Sequence, residues 1–342
     1  IDFAKENGKK IYIATNVIMK NHDLENVGRF AEKIYSYGAD AVILSDIGAF
    51  DIVKNTVPNL DIHISTQANT NNYASANMWH KLGASRVILA RELSLGEISE
   101  IRKNTPEELE LECFVHGAMC ISYSGRCLLS NYMTGRDSNL GACAHPCRWK
   151  YYLMEEKRPG EYMPVFENER GPFIFNSKDL CMIEHIPQLI KAGVTSFKIE
   201  GRVKNELYVA TVVKAYRDAV DAYFESGDGK VDEDILTELT KVSHREYTNG
   251  FYFGKPTEKH QLYTSNTYIQ EYTIAAVAQT TQNGVTILEQ RNKFEKGDVL
   301  EVINPKGENF SFTVGDMYDE WDNLIESAPH AQMTVKIKLP KE

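Results

Sequence analysis

The sequence predicts an α/β fold: a TIM-barrel-like (β/α) domain, N-terminally truncated, with a cysteine-rich insertion, followed by a small C-terminal antiparallel β-barrel domain. Three observations predict it. Short apolar runs alternate with amphipathic segments through about the first two hundred residues. Polar residues recur just past the ends of those runs, where barrel enzymes keep their chemistry. From Tyr268 onward the hydrophobic period changes to two, as antiparallel strands require.

The β-rich runs are Lys10–Thr15, Ala41–Ser45, Asp61–Ser65, Arg86–Ala90, Leu111–Val115 and Ser196–Glu200. Helical spacing fills the gaps, as in Asn26–Tyr37 and Asn71–Leu82, and Ser94-Leu95-Gly96-Glu97 is a capping box. Gly38 and Gly83 end helices before the next strand. Apolar strands joined by helices imply parallel pairing through right-handed crossovers. Six strands fit a doubly wound sheet, whereas a barrel needs eight. The opening Ile1–Gly8 reads as the middle of a helix, so the expectation is a chain lacking the first strands of its barrel. The polar residues at the run ends favour the barrel: Asn16, Ser45-Asp46, Thr66-Gln67, Asn69, Arg91-Glu92, His116, Glu200 and Arg202.

A long helix is expected over Asn205–Glu225, with Val209, Val212, Val213, Tyr216 and Val220 as its apolar positions. The expected domains are 1–230 with the insertion at 116–181, a charged linker over 231–264, and the β-barrel over 265–342. Five strands are expected in the latter, at Tyr272–Ala278, Gly284–Gln290, Asp298–Ile303, Asn309–Val314 and Met333–Leu339, with Asn283-Gly284 as a hairpin turn. This domain reads as an aid to holding a partner or as a packing module, with a second copy or a paralogue as the other side.

A formal charge of -10 argues against a protein that binds nucleic acid non-specifically through a basic face, while leaving room for an enzyme that meets RNA through one local basic patch. The stretch His116–Lys150 reverses the sign, with Arg126, Arg136, Arg148 and Lys150 against Asp137 alone. No export signal and no stretch of membrane-spanning length are found, which gives a cytoplasmic expectation.

All six cysteines lie between Cys113 and Cys181, which favours metal or redox chemistry over disulfides. Cys113 sits inside an apolar strand and reads as a core residue. The others, Cys120, Cys127, Cys143, Cys147 and Cys181, are spaced C-x6-C-x15-C-x3-C-x33-C. Four thiolates suit an iron–sulfur cluster, and they suit zinc as well. Only Cys143 and Cys147 form the tight pair usual for structural zinc, so spacing leaves both metals open. His116 and His145 beside cysteines leave a cysteine peptidase open too. A metallopeptidase is disfavoured, since no His-Glu-x-x-His is present.

The run Glu112–Ser130, the continuation Gly135–Gly141 with Cys143 and Pro146–Tyr151, and the segments Ser65–Asn69, Asn176–Cys181, Lys198–Arg202 and His244–Phe251 resemble the peptidase U32 family. Members of that family were long named collagenase-like peptidases. The likeness is strongest to the branch that makes 5-hydroxyuridine at the wobble position of tRNA. The resemblance implies a 4Fe-4S cluster held by Cys120, Cys127, Cys147 and Cys181, with Cys143 as the alternative fourth ligand. It implies prephenate as the hydroxyl donor and an anticodon loop as the RNA partner. Within that frame His116, Tyr123 and Glu200 are candidates for proton transfer. Arg126, Arg136, Arg148, Arg202, Gln67 and Asn69 are candidates for holding the anionic donor or the RNA, and Trp149 for stacking a base. The competing readings are a U32-type peptidase and a zinc-stabilised RNA-binding protein without catalysis.

Overall fold

The computed structural model describes residues 1–119, 127–149, 152–153, 160, 163–164, 178–202, 204–227, 231–254, 269, 272–305 and 307–340. It falls into two compact units. One comprises Ile1–Glu200, Ser226–Gly229 and Arg245–Thr267; the other comprises Gly201–Glu225, Lys230–His244 and Tyr268–Glu342.

In the first unit, strands and helices alternate as α1 (Asp2–Glu6), β1 (Tyr12–Ala14), α2 (Asn21–Leu24), α3 (Val27–Ser36), β2 (Ala41–Leu44), α4 (Ile47–Thr56), β3 (Asp61–Ile64), α5 (Tyr73–Leu82), β4 (Arg86–Ile88), α6 (Leu95–Lys103) and β5 (Glu110–Ala118). Then come α7 (Leu129–Thr134), β6 (Tyr152–Leu153), β7 (Met163–Pro164), β8 (Asp179–Cys181), α8 (Ile186–Lys191) and β9 (Ser196–Ile199), with β10 (Tyr247–Thr248) returning after the second unit's helices. Strands β1 to β5 pair in chain order and parallel, and β9 pairs parallel with β5. All six expected strands are therefore present, wound in sequence without the order reversal of a doubly wound sheet. Two short strands extend this sheet beyond expectation. β8 runs antiparallel to the end of β5, and β10 runs parallel to β8.

Helix ends form as their residues dictate. Ser94 Oγ accepts from Glu97 N (3.3 Å) while Ser94 N donates to Glu97 Oε2 (2.7 Å), completing the capping box. Asp46 caps α4 through Ala49 N (2.9 Å), Asn72 caps α5 through Ser75 N (2.9 Å), and Gly83 ends α5 in the left-handed region. One sheet face is apolar: Val42, Leu44, Ile62, Ile64, Val87, Leu89, Leu111, Cys113 and Val115 are all buried. Ala31 and Ile34 of α3, Phe50 and Val53 of α4, and Ile98 and Ile101 of α6 are the matching buried helix residues.

The other face is polar and less completely buried: His63, Arg86, Glu112 and Phe114 are buried, Tyr12, Ser196 and Lys198 half-buried, and Glu110 exposed. Register places Tyr12, His63, Arg86, Glu110, Glu112, Phe114, Ser196 and Lys198 on it. Glu112 Oε2 accepts from Arg86 Nη1 (2.9 Å) and Ser196 Oγ (2.8 Å), and Oε1 accepts from Lys198 Nζ (2.9 Å). Burial alone would raise the Glu112 carboxyl, but Lys198, Ser196 and Arg86 hold it below its ordinary value. Arg86 Nε also donates to Glu110 (2.6 Å), and the guanidinium lies 5.1 Å from the Tyr12 ring centroid. His63 meets Tyr12 edge-on at 4.7 Å.

Among its described residues the second unit contains α9 (Glu206–Ser226), α10 (Glu233–Lys241) and nine strands: β11 (Ala276–Gln282), β12 (Val285–Gln290), β13 (Phe294–Glu295), β14 (Val299–Val302), β15 (Phe310–Thr313), β16 (Met317–Tyr318), β17 (Leu324–Ile325), β18 (Ser327–Ala328) and β19 (Thr334–Ile337). β11, β12, β19, β16 and β17 form one antiparallel sheet, and β13–β18 and β14–β15 form separate pairs. Their core is Leu288, Phe294, Val314, Met317, Ala328, Val335 and Ile337. Asn283 and Gly284 both take positive φ, as the hairpin turn demands. The long helix groups with this unit, which moves the boundary from residue 230. Its buried residues are Tyr208, Thr211, Val212, Ala215, Tyr216 and Ala219, while Val209 and Val213 are exposed. Apolarity alone therefore mis-set the inner face, because Thr211 and the two alanines fit the close packing and two valines do not. Among the described residues no helix is long and apolar enough to cross a membrane.

His63 provides a test of the polar face. Burial first, and the Arg86 charge second, push its imidazole down to about 4. A histidine with a depressed folded-state value loses stability as pH falls below its unfolded value of about 6.5, down to about 4. The size is about 3 kcal/mol. Urea midpoints measured from pH 7 to pH 4 should fall across that window, and His63→Gln should flatten the fall. Glu112, with its lowered value, contributes acid sensitivity only below about pH 4.5.

Candidate functional site at the strand ends

The C-terminal ends of β1, β2 and β3 are joined by hydrogen bonds. Asn16 Nδ2 donates to Ser65 Oγ (2.9 Å), Ser45 Oγ donates to Asn16 O (2.8 Å), and Gln67 N donates to Ser65 Oγ (3.2 Å). Ser65 thereby caps a short 3-10 turn, Thr66–Ala68, and Asn69 follows it in the left-handed region at φ 54°. Thr66 Oγ1 ties this loop to Leu89 O (3.1 Å) at the end of β4. The side-chain oxygens Gln67 Oε1 and Asn69 Oδ1 are buried without a hydrogen-bond partner among the described residues. Both residues expected to bind substrate thus present unsatisfied acceptors at the sheet's C-terminal edge.

At the end of β5, His116 is 1% exposed, and its ring lies 5.3 Å from that of Tyr247. Cys181 is its register partner on β8, and Glu200 N donates to His116 O (2.9 Å). The fold therefore brings His116, Cys181 and Glu200 together from three separate segments. Gly117 makes this approach feasible: φ is +109°, and a Cβ there would lie 2.6 Å from Glu200 O. Arg202 belongs to the second unit and is exposed.

The cysteine segment is anchored near the end of β1. Asn139 Oδ1 accepts from Ile18 N (2.8 Å), and Asn139 Nδ2 donates to Ile18 O (3.2 Å). Within the segment Ser138 Oγ donates to Cys127 O (2.5 Å), and Ala144 N donates to Ser130 Oγ (2.9 Å). Leu128, Tyr132, Leu140 and Trp149 are exposed, as is Arg136. Cys120, Tyr123, Arg126 and the side chain of Arg148 lie outside the described residues. Cys127, Cys143, Cys147 and Cys181 are half-buried, and Cys143 Sγ accepts from His145 N (3.3 Å). These are soft donors of the kind an iron–sulfur cluster or zinc takes. Among the described residues, however, no three His, Cys, Asp or Glu side chains gather closely enough to hold a metal. The fit is therefore one of donor chemistry, with one candidate ligand, Cys120, outside the described residues.

Cys113 differs from the rest. Burial pushes its thiol up to about 12, which makes it a core group and a poor nucleophile. It neighbours Tyr252, whose hydroxyl donates to Phe114 O (2.5 Å). Two strand-end residues were read from the sequence only as part of the polar ring. Arg91 Nη1 donates to Ala118 O (2.8 Å), with its guanidinium 3.9 Å from the Phe114 ring centroid. Burial raises the carboxyl of its neighbour Glu92 above the ordinary range. The pairing of Phe114 with Arg91 needs a contact between two strand ends that sequence spacing does not display.

Gly117→Ala should be strongly destabilising, by about 2–4 kcal/mol, through its positive φ and the clash with Glu200. Guanidinium unfolding of the variant is the measurement, and a midpoint equal to that of the parent protein would contradict the close approach.

Residues 1–262 match Peptidase family U32, and residues 270–342 match the Peptidase family U32 C-terminal domain. The chain is 37% identical over 347 residues to tRNA hydroxylation protein P1 of Bacillus subtilis, spanning 100% of this chain and 81% of that protein. It is 36% identical over 384 residues to tRNA hydroxylation protein P of Escherichia coli, spanning 100% of this chain and 84% of that protein. The Escherichia coli 23S rRNA 5-hydroxycytidine synthase is 34% identical over 258 residues, 73% of this chain and 38% of that one. Matches of this extent, on the segments that build the strand-end site, establish that the chain belongs to peptidase family U32.

Proposed function

We propose that this protein hydroxylates RNA, and specifically that it converts the wobble uridine of tRNA to 5-hydroxyuridine with prephenate as hydroxyl donor. The observation that carries the reading is the full-length likeness to relatives named for tRNA hydroxylation. The site is chemically suited to it. Buried amide oxygens at Gln67 and Asn69 can accept from hydroxyl or N–H groups, and His116 and Glu200 stand at the same sheet edge for proton transfer. Exposed Tyr132 and Trp149, with Arg136, offer stacking and phosphate contacts to a single-stranded loop. A TIM-barrel-like (β/α) architecture is what we infer for the first unit, supported by the sequential parallel winding of β1 to β5.

We infer further that Cys120, Cys127, Cys147 and Cys181 hold a 4Fe-4S cluster, with Cys143 as alternative. Bound there, it would supply electron-transfer or Lewis-acid chemistry. The protein's own part is to orient the donor, shield the site from water and manage protons at His116 and Glu200. Anaerobically purified protein should be brown, with about four irons per chain. Cys127→Ala, Cys147→Ala and Cys181→Ala should each lose iron and visible absorbance, whereas Cys113→Ala should keep both. A colourless zinc protein would defeat the cluster reading.

The substrate is tested separately. Nucleosides from tRNA of a deletion strain should lack 5-hydroxyuridine derivatives, and the intact gene should restore them. Unchanged levels would remove the tRNA assignment. The family's name keeps one rival in view, with Cys181 and His116 as neighbours on paired strands. Gelatin cleavage abolished by thiol alkylation would support that peptidase instead.

A further inference from the structure

Two adjacent loops carry four buried polar atoms that have no hydrogen-bond partner among the described residues. Gln67 Oε1, Asn69 Oδ1 and Thr70 Oγ1 follow β3, and Arg91 Nε follows β4. The loops are bound to each other: Thr66 Oγ1 donates to Leu89 O (3.1 Å), and Ala90 N donates to Thr70 O (3.2 Å). Thr70 is 1% exposed, so solvent does not satisfy its hydroxyl. Unsatisfied buried groups are costly, and their occurrence on two loops bonded to each other suits a surface completed by a ligand.

The four atoms specify that ligand's chemistry. Two are acceptors only, one is a hydroxyl, and one is the N–H of a fixed cation. Arg91 is held from two sides, by the Ala118 carbonyl and by the face of Phe114, and Lys198 Nζ lies 5.6 Å from the same ring centroid. Lys198 is already engaged by Glu112, whereas Arg91 Nε has no hydrogen-bond partner among the described residues. The complement is a small anion that also carries a hydroxyl donor for Gln67 or Asn69.

We propose that Arg91, with Gln67, Asn69 and Thr70, forms the seat for a small hydroxylated carboxylate at the C-terminal edge of β3 and β4. The assignment rests on the hydroxylation reading only in naming the donor as that carboxylate. A small carboxylate is favoured over an RNA phosphodiester because the acceptors on these loops are buried, and a compact molecule reaches them more readily than a phosphate and 2′-hydroxyl held on a polynucleotide chain.

The test uses the full chain and reads binding directly, by calorimetry with prephenate, inorganic phosphate and unmodified tRNA in separate titrations. Arg91→Gln should weaken prephenate binding about 10- to 100-fold and leave tRNA affinity unchanged. Arg91→Lys should recover only part of it, since a point charge does not reproduce the guanidinium fork. Thr70→Val gives a second signature. It removes an unsatisfied hydroxyl, so it should leave the unliganded melting temperature equal or higher while weakening prephenate about 5-fold. A purely structural Thr70 would instead lower the melting temperature and leave affinity intact. Equal prephenate affinity in Arg91→Gln, or a loss confined to tRNA or phosphate, would overturn the seat. A chain that binds prephenate through these residues but leaves tRNA unmodified would uphold the seat and defeat the hydroxylation reading.

Discussion

The first unit depends on one carboxylate. Glu112 sits in the middle of a parallel sheet with its side chain buried on the polar face, and three neighbours from two other strands converge on it: Arg86 from β4, and Ser196 and Lys198 from β9. An isolated buried carboxylate would be neutralised or expelled. Paired on both oxygens it remains charged, and its partners are fixed by its needs. Buried ion pairs add little net stability compared with apolar packing, but removing one partner leaves a charge stranded. Such an arrangement selects register. A one-residue slip of β9 against β5 would turn Lys198 and Ser196 to the face opposite Glu112.

That register has a consequence further along the same strands. β5 runs from Glu110 to Ala118, so the strand that carries Glu112 near one end carries His116 near the other, past a register shift between Phe114 and His116. Fixing Ser196 opposite Glu112 also brings Glu200 to the His116 backbone. The ionic network thus acts as a foundation, placing the reactive groups at the sheet's C-terminal edge without taking part in their chemistry. Phe114 lies between the two levels, with Lys198 on the foundation side and Arg91 on the site side.

Much of this was legible in the sequence, and the limits have physical causes. The six parallel strands announced themselves because strands buried on both faces read as apolar runs. The caps at Ser94 and Gly83 were legible because each is a local device, complete within a few residues. β8 and β10 were not, since strands of three and two residues with Asp179 and Thr248 among them carry no periodicity. The polar face of the sheet left a trace in Glu110-x-Glu112 and Ser196-x-Lys198, polar or charged residues two apart within strands, which mark one face and invite partners across it. In α9 the sequence marked Val209 and Val213 as inward, whereas tertiary packing chose Thr211 and small alanines.

The candidate site shows the same division between local and non-local information. Gln67 and Asn69 could be singled out from the sequence because they follow a strand within a tight turn, which Ser65 caps and Asn69 closes at positive φ. Arg91 could not be separated from an ordinary turn residue, because its distinction lies in Phe114 and Ala118, some two dozen residues away on another strand. A guanidinium clamped by an aromatic face and a carbonyl has lost much of its conformational freedom before any ligand arrives. Rigid loops that leave acceptors unpaired have likewise met the cost of desolvation during folding. Both losses are incurred in the folding of the chain, so a ligand that completes the hydrogen bonds gains affinity from few contacts, and one lacking a hydroxyl or an anionic group is rejected by what it leaves unsatisfied.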